Sequence, residues 1–423
     1  MRLTQGLRPD LQTAIGAVLD RRLSRTSAAP VCVAFSGGGD SLALLIAADS
    51  WARSVGRDLL VLHVDHGLQA DAADWARRCA DVAHRLDRRF VRLAWCGPKP
   101  ERGLPAAARA ARHRLIAETA RTAGARVVLM GHTADDLAEA TAMRAAGSST
   151  PDPKVWAPSP VWPAGRDVFL LRPMLGLRRG ELREALVEGG WSWIEDPANA
   201  DLAYARSRAR RQRPVPPADA APRPDPSGLA RQTQEPWPGV LSLPRAALRR
   251  HPAADVFVGV AALCAGGGSR PPAPAARRRL AEALSGEGPV AATLAGARVA
   301  ADAERVLFFR EAGEAARGGL ASRPLAPGVT EVWDDRFEIE AQAPGLCVRR
   351  LAGVARRLPP AARTALQEVP QAARGALPVW AKAADPLAVS VDPALARATS
   401  LVLPRLQAAC GLIDREPVAA RTA

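Results

Sequence analysis

The order of apolar and polar positions divides the first half of the chain into alternating helices and strands. Residues 12–23 carry Ile15, Val18, Leu19 and Leu23 at helical spacing, which predicts an opening amphipathic helix. Val31-Cys32-Val33-Ala34-Phe35 is a short unbroken apolar run ending in glycines, the pattern of a strand buried on both faces. A helix over Leu42–Trp51, a second such strand over Leu59–Val64, a helix over Ala72–Leu86 and a third strand over Phe90–Leu93 follow. Ala106–Ala123 then reads as a helix, Arg126–Met130 as a strand and Asp135–Ala145 as a helix. Strands alternating with helices predict an α/β fold, a doubly wound parallel sheet covered on both faces.

The alternation then stops. Gly147–Gly165 holds five prolines and reads as a loop, and Leu177–Glu188 resumes as a helix. Arg213–Pro238 is crowded with Pro, Ala, Asp and Gln and has no periodic apolar stripe, which predicts a linker. The expected division is a first domain over 1–212, a Pro-rich linker over 213–238, and a smaller helical or α+β accessory domain over 239–320. Residues 321–423 form a further C-terminal domain. Within these, Leu241–Cys264 and Ala275–Leu284 read as helices, and Val299 and Val306–Phe309 as strands. Val332-Trp333 and Phe337–Ile339 read as short β segments.

Composition adds three constraints. The chain has 423 residues and 48% hydrophobic positions, enough for two or three cores. No apolar run approaches the roughly 18 residues that span a bilayer, and the first residues lack the apolar stretch of a secretory signal. The expectation is a cytoplasmic protein with no membrane partner. The formal charge is +15, carried almost wholly by arginine, since lysine occurs only at Lys99, Lys154 and Lys382. That excess suits a polyanion such as nucleic acid, although a base composition rich in G and C also favours arginine. Cys32, Cys79, Cys96, Cys264, Cys347 and Cys410 form no C-x-x-C pair, which argues against a metal or iron–sulfur site and for buried reduced thiols.

The chemistry sits in Ser36-Gly37-Gly38-Gly39-Asp40-Ser41, where the first strand ends and a helix begins. Ligands of parallel sheets bind at that edge, outside the carboxyl ends of the strands. Glycines let backbone approach an anion, and amides opening a helix donate to it. Serine hydroxyls add hydrogen bonds, and Asp40 is a candidate carboxylate for a magnesium ion bridging phosphates. The spacing is neither G-x-x-x-x-G-K-[ST] nor G-x-G-x-x-G. A helix-capping turn explains a chance Ser-Gly-Gly, but not six matching residues at a strand–helix junction.

Ser-Gly-Gly-x-Asp-Ser at this junction resembles the signature of the PP-loop ATP pyrophosphatases, which split ATP into AMP and pyrophosphate. Further blocks resemble one branch, the tRNA(Ile)-lysidine synthases. They are His63-Val64-Asp65-His66-Gly67-Leu68, Trp75-Ala76-x-x-Cys79, Ala107-Ala108-Arg109-Ala110-Ala111-Arg112 and Gly131-His132-Thr133-Ala134-Asp135-Asp136. Arg172-Pro173-Met174-Leu175, Glu195-Asp196-Pro197-Ala198-Asn199-x-Asp201 and Tyr204-x-Arg206 complete the series, and Ala292-Thr293-Leu294-x-Gly296 is weakly similar to the accessory region.

The resemblance implies the adenine-nucleotide α-hydrolase-like fold and a carbon–nitrogen ligase. ATP adenylates C2 of the wobble cytidine in isoleucine tRNA, and free L-lysine then displaces AMP. Its cofactors are ATP and Mg²⁺. Ser36, Gly37, Gly38, Gly39, Asp40 and Ser41 would hold ATP, with Asp40 on magnesium. Asp40, His132 and Asp136 would be catalytic, Arg109, Arg112, Asp65 and His66 would meet phosphate or tRNA, and Glu195 and Asp196 would shape the lysine pocket. Departures from the family pattern fall at Pro105, His113, Leu137, Ala140, Ala146 and Ser207. The rival readings are another PP-loop tRNA modifier, such as a thiolase, for which the chain lacks the expected cysteines, and a non-catalytic RNA-binding relative.

Overall fold

The computed structural model describes residues 6–148, 153–196, 205–211, 224–314, 318–382 and 385–417. The chain forms two compact units, Met1–Ala221 with Ile413–Ala423, and Pro222–Leu412.

In the first unit the elements run α1 (Pro9–Arg22), β1 (Val31–Ala34), α2 (Gly39–Val55), β2 (Leu59–Asp65), α3 (Ala72–Arg85), β3 (Arg89–Ala94), α4 (Leu104–Thr122), β4 (Val127–Met130) and α5 (Ala134–Ala145). They continue with β5 (Trp156–Pro158), β6 (Phe169–Leu171), α6 (Arg179–Glu188) and α7 (Ala205–Arg211). The strands lie in the order β3-β2-β1-β4-β6-β5. Every neighbouring pair is parallel except β5 on β6. This is the doubly wound architecture expected from the apolar pattern. Buried residues fill β1, β2 and β4 almost continuously, because helices cover both faces of a parallel sheet. Helix α2 is apolar nearly all round for the same reason: it packs against α1 and α6 as well as the sheet.

The strand order reverses between β1 and β4, so the loops leaving these strands diverge and open a crevice. The Ser36–Ser41 turn leaves β1 at that point. Gly131 leaves β4 beside it, and a Cβ there would lie 3.0 Å from Ser41 Cα and 3.1 Å from Asp40 O. A side chain there would force the two elements apart by a few tenths of an ångström.

The Pro-rich segment expected as a loop contributes β5, an edge strand in which Pro158 costs no ladder bond. Neither β5 nor β6 was legible, since three residues are too few to show a period.

In the second unit the elements are α8 (Ser227–Gln232), β7 (Gln234–Trp237), β8 (Val240–Pro244), α9 (Ala254–Ala265), α10 (Pro274–Ser285), β9 (Val290–Leu294), β10 (Ala297–Ala301) and β11 (Arg305–Arg310). The strands form an antiparallel sheet ordered β7-β8-β11-β10-β9, with α9 packed on it through Phe257 against Phe308. Two sequence expectations change here. The linker expected over 213–238 is structured from Ser227 onward, where Leu229 and Ala230 are buried and Gln234–Trp237 pairs with β8; residues 212–223 lie outside the described residues. The helix expected from Leu241 begins instead as a strand. Leu241 and Leu243 point into the core with Ser242 between them, and Pro244 bars a continuous helix.

Beyond residue 320 the unit adds two further antiparallel sheets. One orders Arg323–Pro324, Leu346–Arg350, Pro378–Lys382 and Asp385–Ser390, and the other Thr330–Trp333, Phe337–Ala341 and Ala396–Ser400. Asp334 accepts hydrogen bonds from Arg336 (2.6 Å) and Arg310 (3.4 Å), an ionic knot with all three side chains at most 2% exposed. Among the described residues, no helix is long and apolar enough to cross a membrane.

Candidate nucleotide site

The turn after β1 is shaped by its own hydroxyls. Ser41 Oγ donates to Gly38 O at 2.9 Å, Ser36 Oγ lies 3.0 Å from Ser41 Oγ, and the Gly38 amide points at Ser36 Oγ at 3.4 Å. Gly37 takes φ +88°, and a Cβ on it would lie 2.6 Å from Ile194 Cδ1 and 2.9 Å from Cys79 Sγ. The Ile194 amide donates to Gly37 O at 2.9 Å and pins the turn. Trp193 lies over Gly39, 3.4 Å from where its Cβ would be. On the other side, His63 at the end of β2 meets Phe35 O through Nδ1 at 3.0 Å. A carbonyl only accepts, so Nδ1 carries the proton, and burial keeps the ring neutral by lowering its pKa.

This turn forms one wall of a cleft of about 470 Å³. Its lining includes Ser36, Gly38, Gly39, Asp40, Ser41, Asp65, His66, Arg112, His132, Asp136, Glu195 and Asp196. The expected site residues are thus gathered at one sheet edge, with two outside the lining. Gly37 faces Cys79 and Ile194 behind the turn, and Arg109 lies near Arg172 and His113.

The structure also separates residues that hold the cleft from residues open to it. Asp136 accepts from the Thr133 amide (2.7 Å) and hydroxyl (3.1 Å), closing a cap on α5 through Oδ2. Asp65 accepts from the Gly67 amide at 2.8 Å, the turn that a short Asp-x-Gly sequence favours, and pairs with Arg92. Burial pushes the Asp65 carboxyl up, but Arg92 and the amide outweigh it and hold its pKa below the usual range. His66 Nδ1 is buried without a hydrogen-bond partner, and burial followed by the charge of Arg112 lowers its pKa. Glu195 accepts from Trp193 Nε1 at 2.6 Å and pairs with Arg183 at 3.2 Å. Pro197, Ala198, Asn199, Asp201 and Tyr204, from the later sequence blocks, lie outside the described residues. So does the side chain of Arg206.

Asp40 is held differently. Arg179, the first residue of α6, donates through Nε to Asp40 Oδ2 at 2.8 Å. Asp40 Oδ1 is buried and has no hydrogen-bond partner. Burial raises the Asp40 pKa, Arg179 opposes that rise, and Asp136 adds to it. An orphaned carboxylate oxygen on the cleft wall is a hard ligand of the kind that suits magnesium. Among the described residues no group of three or more His, Cys, Asp or Glu could hold a metal. Phosphate oxygens and water would supply the other ligands.

Sequence reasoning missed Arg179, Glu139 and Arg210. Glu139 is 2% exposed and accepts from Arg179 (3.0 Å) and Arg210 (2.9 Å). One signal was present: arginine at a helix N-terminus opposes the helix dipole and asks for an anionic partner. Of the cysteines, Cys32, Cys79, Cys264 and Cys410 are buried, Cys347 is half-buried and Cys96 is exposed. Burial pushes the Cys32 and Cys79 thiols to about 12.

A PP-loop domain family matches residues 9–214. A tRNA(Ile)-lysidine synthase of Caulobacter vibrioides is 46% identical over 415 residues, 96% of this chain and 98% of that protein. A tRNA(Ile)-lysidine synthase of Hyphomonas neptunium is 36% identical, over 75% of this chain and 87% of its own. Among solved structures, a U34-tRNA thiolase from Methanococcus maripaludis aligns with TM-score 0.40 and 13% identity, over 48% of this chain and 73% of its own.

Proposed function

The chain belongs to the tRNA(Ile)-lysidine synthase family, ATP-dependent ligases built on a PP-loop domain, and from that premise we propose how its cleft works. The substrates are ATP, free L-lysine and an isoleucine tRNA with an unmodified wobble cytidine. The C2 oxygen of that cytidine attacks the α-phosphorus of ATP and pyrophosphate leaves. The lysine amine then attacks C2, and AMP departs with the oxygen.

One observation carries this reading: the Ser36–Ser41 turn opens on a cleft roomy enough for a nucleotide, with Asp40 Oδ1 buried there and unpartnered. The first-turn amides of α2 have no acceptor within the helix, and with Ser36 and Ser41 they cradle the departing pyrophosphate. Asp40 would hold magnesium, which when bound neutralises charge on the phosphates. His132 orients the base at the neighbouring strand end. Asp136 caps α5 through Oδ2, meets Arg179 through Oδ1, and stands beside His132 among the catalytic groups. Arg112 and His66 meet the tRNA backbone, with Arg109 as a further cation beside them. Glu195 and Asp196 face the lysine ammonium. A cytoplasmic setting, where tRNA, ATP and free lysine occur together, belongs to the same proposal.

The test follows labelled lysine. It should become covalently attached to isoleucine tRNA only when ATP is present, with one pyrophosphate released per lysine. Asp40→Ala should lower attachment by about 100-fold or more. A near-normal rate in that variant, or attachment without ATP, overturns the assignment.

A further inference from the structure

We propose that Arg179 is a positioning residue that couples cation binding to phosphate binding: it occupies Asp40 in the empty cleft, leaves it when a divalent cation enters, and turns to a phosphate oxygen. This rests on the reading of Asp40 as the magnesium carboxylate.

The argument is one of charge and reach. Arg179 makes three side-chain contacts to acids, Asp40 Oδ2 at 2.8 Å, Glu139 Oε1 at 3.0 Å and Asp136 Oδ1 at 3.5 Å. Its own amide donates to Asp135 Oδ2 at 2.8 Å, which fixes the start of α6. The side chain is largely buried but lines the nucleotide cleft with Ser36, Gly38 and Ser41. Glu139 has a second cation, Arg210 at 2.9 Å, and Asp136 has Thr133. Asp40 has no described partner besides Arg179, so that pair opens only when another cation takes the place of the guanidinium.

A guanidinium and a dication sharing one small carboxylate repel each other strongly in a partly dehydrated site. A cation on the unpartnered Oδ1 therefore loosens Arg179 from Oδ2 of the same carboxylate. The freed guanidinium has a planar fork of donors suited to phosphate oxygens. Nucleotide phosphate in the cleft gives it that new partner. By linkage, phosphate then promotes cation binding as much as the cation promotes phosphate binding. An empty cleft is kept from filling with metal alone.

Three binding measurements on the full chain test this without turnover. In calorimetric titration with Mn²⁺ alone, Arg179→Gln should bind about tenfold more tightly than the unaltered protein, an ordinary size for such coupling. With Mn²⁺ saturating, inorganic pyrophosphate should bind Arg179→Gln about tenfold more weakly. Asp40→Asn, which releases Arg179, should bind metal-free pyrophosphate more tightly, and that gain should vanish in the Asp40→Asn, Arg179→Gln double variant.

A gain that persists in the double variant reflects simple relief of repulsion and overturns the proposal. So does Mn²⁺ affinity in Arg179→Gln that is equal to or weaker than in the unaltered chain. If Arg179→Gln fails to fold, Arg179→Lys keeps the charge without the fork. It should leave Mn²⁺ affinity unchanged and weaken pyrophosphate, and unweakened pyrophosphate overturns the proposal. Mn²⁺ binding that survives Asp40→Asn would instead sink the metal assignment itself.

Discussion

Both ring nitrogens of His113 are buried without a hydrogen-bond partner, in a residue 2% exposed beside Arg112, Arg109 and Arg172. Burial first, and then the charge of these arginines, pushes its pKa down to about 3. The ordinary value is near 6.5, so between these limits the unfolded chain binds a proton that the folded chain refuses. Stability therefore rises with pH across that window and falls on acidification, by up to about 1.4 kcal/mol per pH unit. His113→Phe keeps a flat aromatic ring, slightly larger than imidazole, and removes the titrating nitrogens. We expect its melting temperature to fall less than that of the unaltered protein between pH 6.5 and 4. At pH 7 it should be more stable by roughly 1 kcal/mol, because two unsatisfied polar atoms are gone. Parallel melting curves in the two proteins would refute this. Asp40 and Asp136 differ in the same respect: Asp40 Oδ1 has no hydrogen-bond partner, whereas Asp136 caps α5 through Oδ2 and meets Arg179 through Oδ1.

Among the elements, the placing of the Ser36–Ser41 turn depends on how closely β4 approaches the first turn of α2. The atoms nearest a Cβ on Gly131 are backbone atoms of Asp40 and Ser41, which no rotamer change can move. Gly131→Ala should therefore cost about 1–3 kcal/mol through overpacking. Lysine transfer should drop further, by about 100-fold, because the phosphate-binding turn shifts. Gly16→Ala is the control: Gly16 lies inside α1 with nothing within 4 Å of its Cβ position, so the change should stabilise by about 0.5–1 kcal/mol. Thermal unfolding and the transfer assay on both variants decide the matter, and a Gly131→Ala protein that transfers lysine normally contradicts it. Helix α6 shows the same economy, since one N-terminal arginine neutralises acids from both α2 and α5.

Across the whole molecule, residues 413–417 return to the first unit. Glu416 forms a bidentate pair with Arg57 at 2.9 and 3.1 Å, with both side chains at most 2% exposed. The Ser24 amide donates to Glu416 Oε2 at 2.9 Å, the Glu416 amide to Arg22 O at 2.7 Å, and Trp156 Nε1 to Ile413 O at 2.7 Å. Residues at opposite ends of the sequence thus close one compact unit. Glu416→Ala leaves a buried guanidinium without its counter-charge, and should destabilise by about 3–5 kcal/mol. The double change Arg57→Met, Glu416→Leu should recover only part of that loss, since an apolar pair carries no ionic desolvation penalty but leaves the Ser24 amide and the Ser24 and Ala29 carbonyls without these partners. Chemical denaturation of both proteins measures it, and a Glu416→Ala protein as stable as the unaltered one would show that the clasp contributes nothing.

Local patterns along the chain specify whatever acts over a few residues. Unbroken apolar runs marked β1, β2 and β4 because both faces of a parallel sheet are covered. The Ser36–Ser41 turn was legible because close backbone approach to an anion requires glycines at fixed positions. Short elements without a period, β5, β6, α8 and β7, were not legible, and Leu241–Pro244 looked helical until its alternation met a sheet. Only the tertiary structure decided which charges meet. Arg179 reaches Asp40 across 139 positions and Glu416 reaches Arg57 across 359. Such pairings depend on strand order and on where each helix begins, and no local pattern encodes either, because an isolated arginine looks the same whether it faces water or a buried carboxylate.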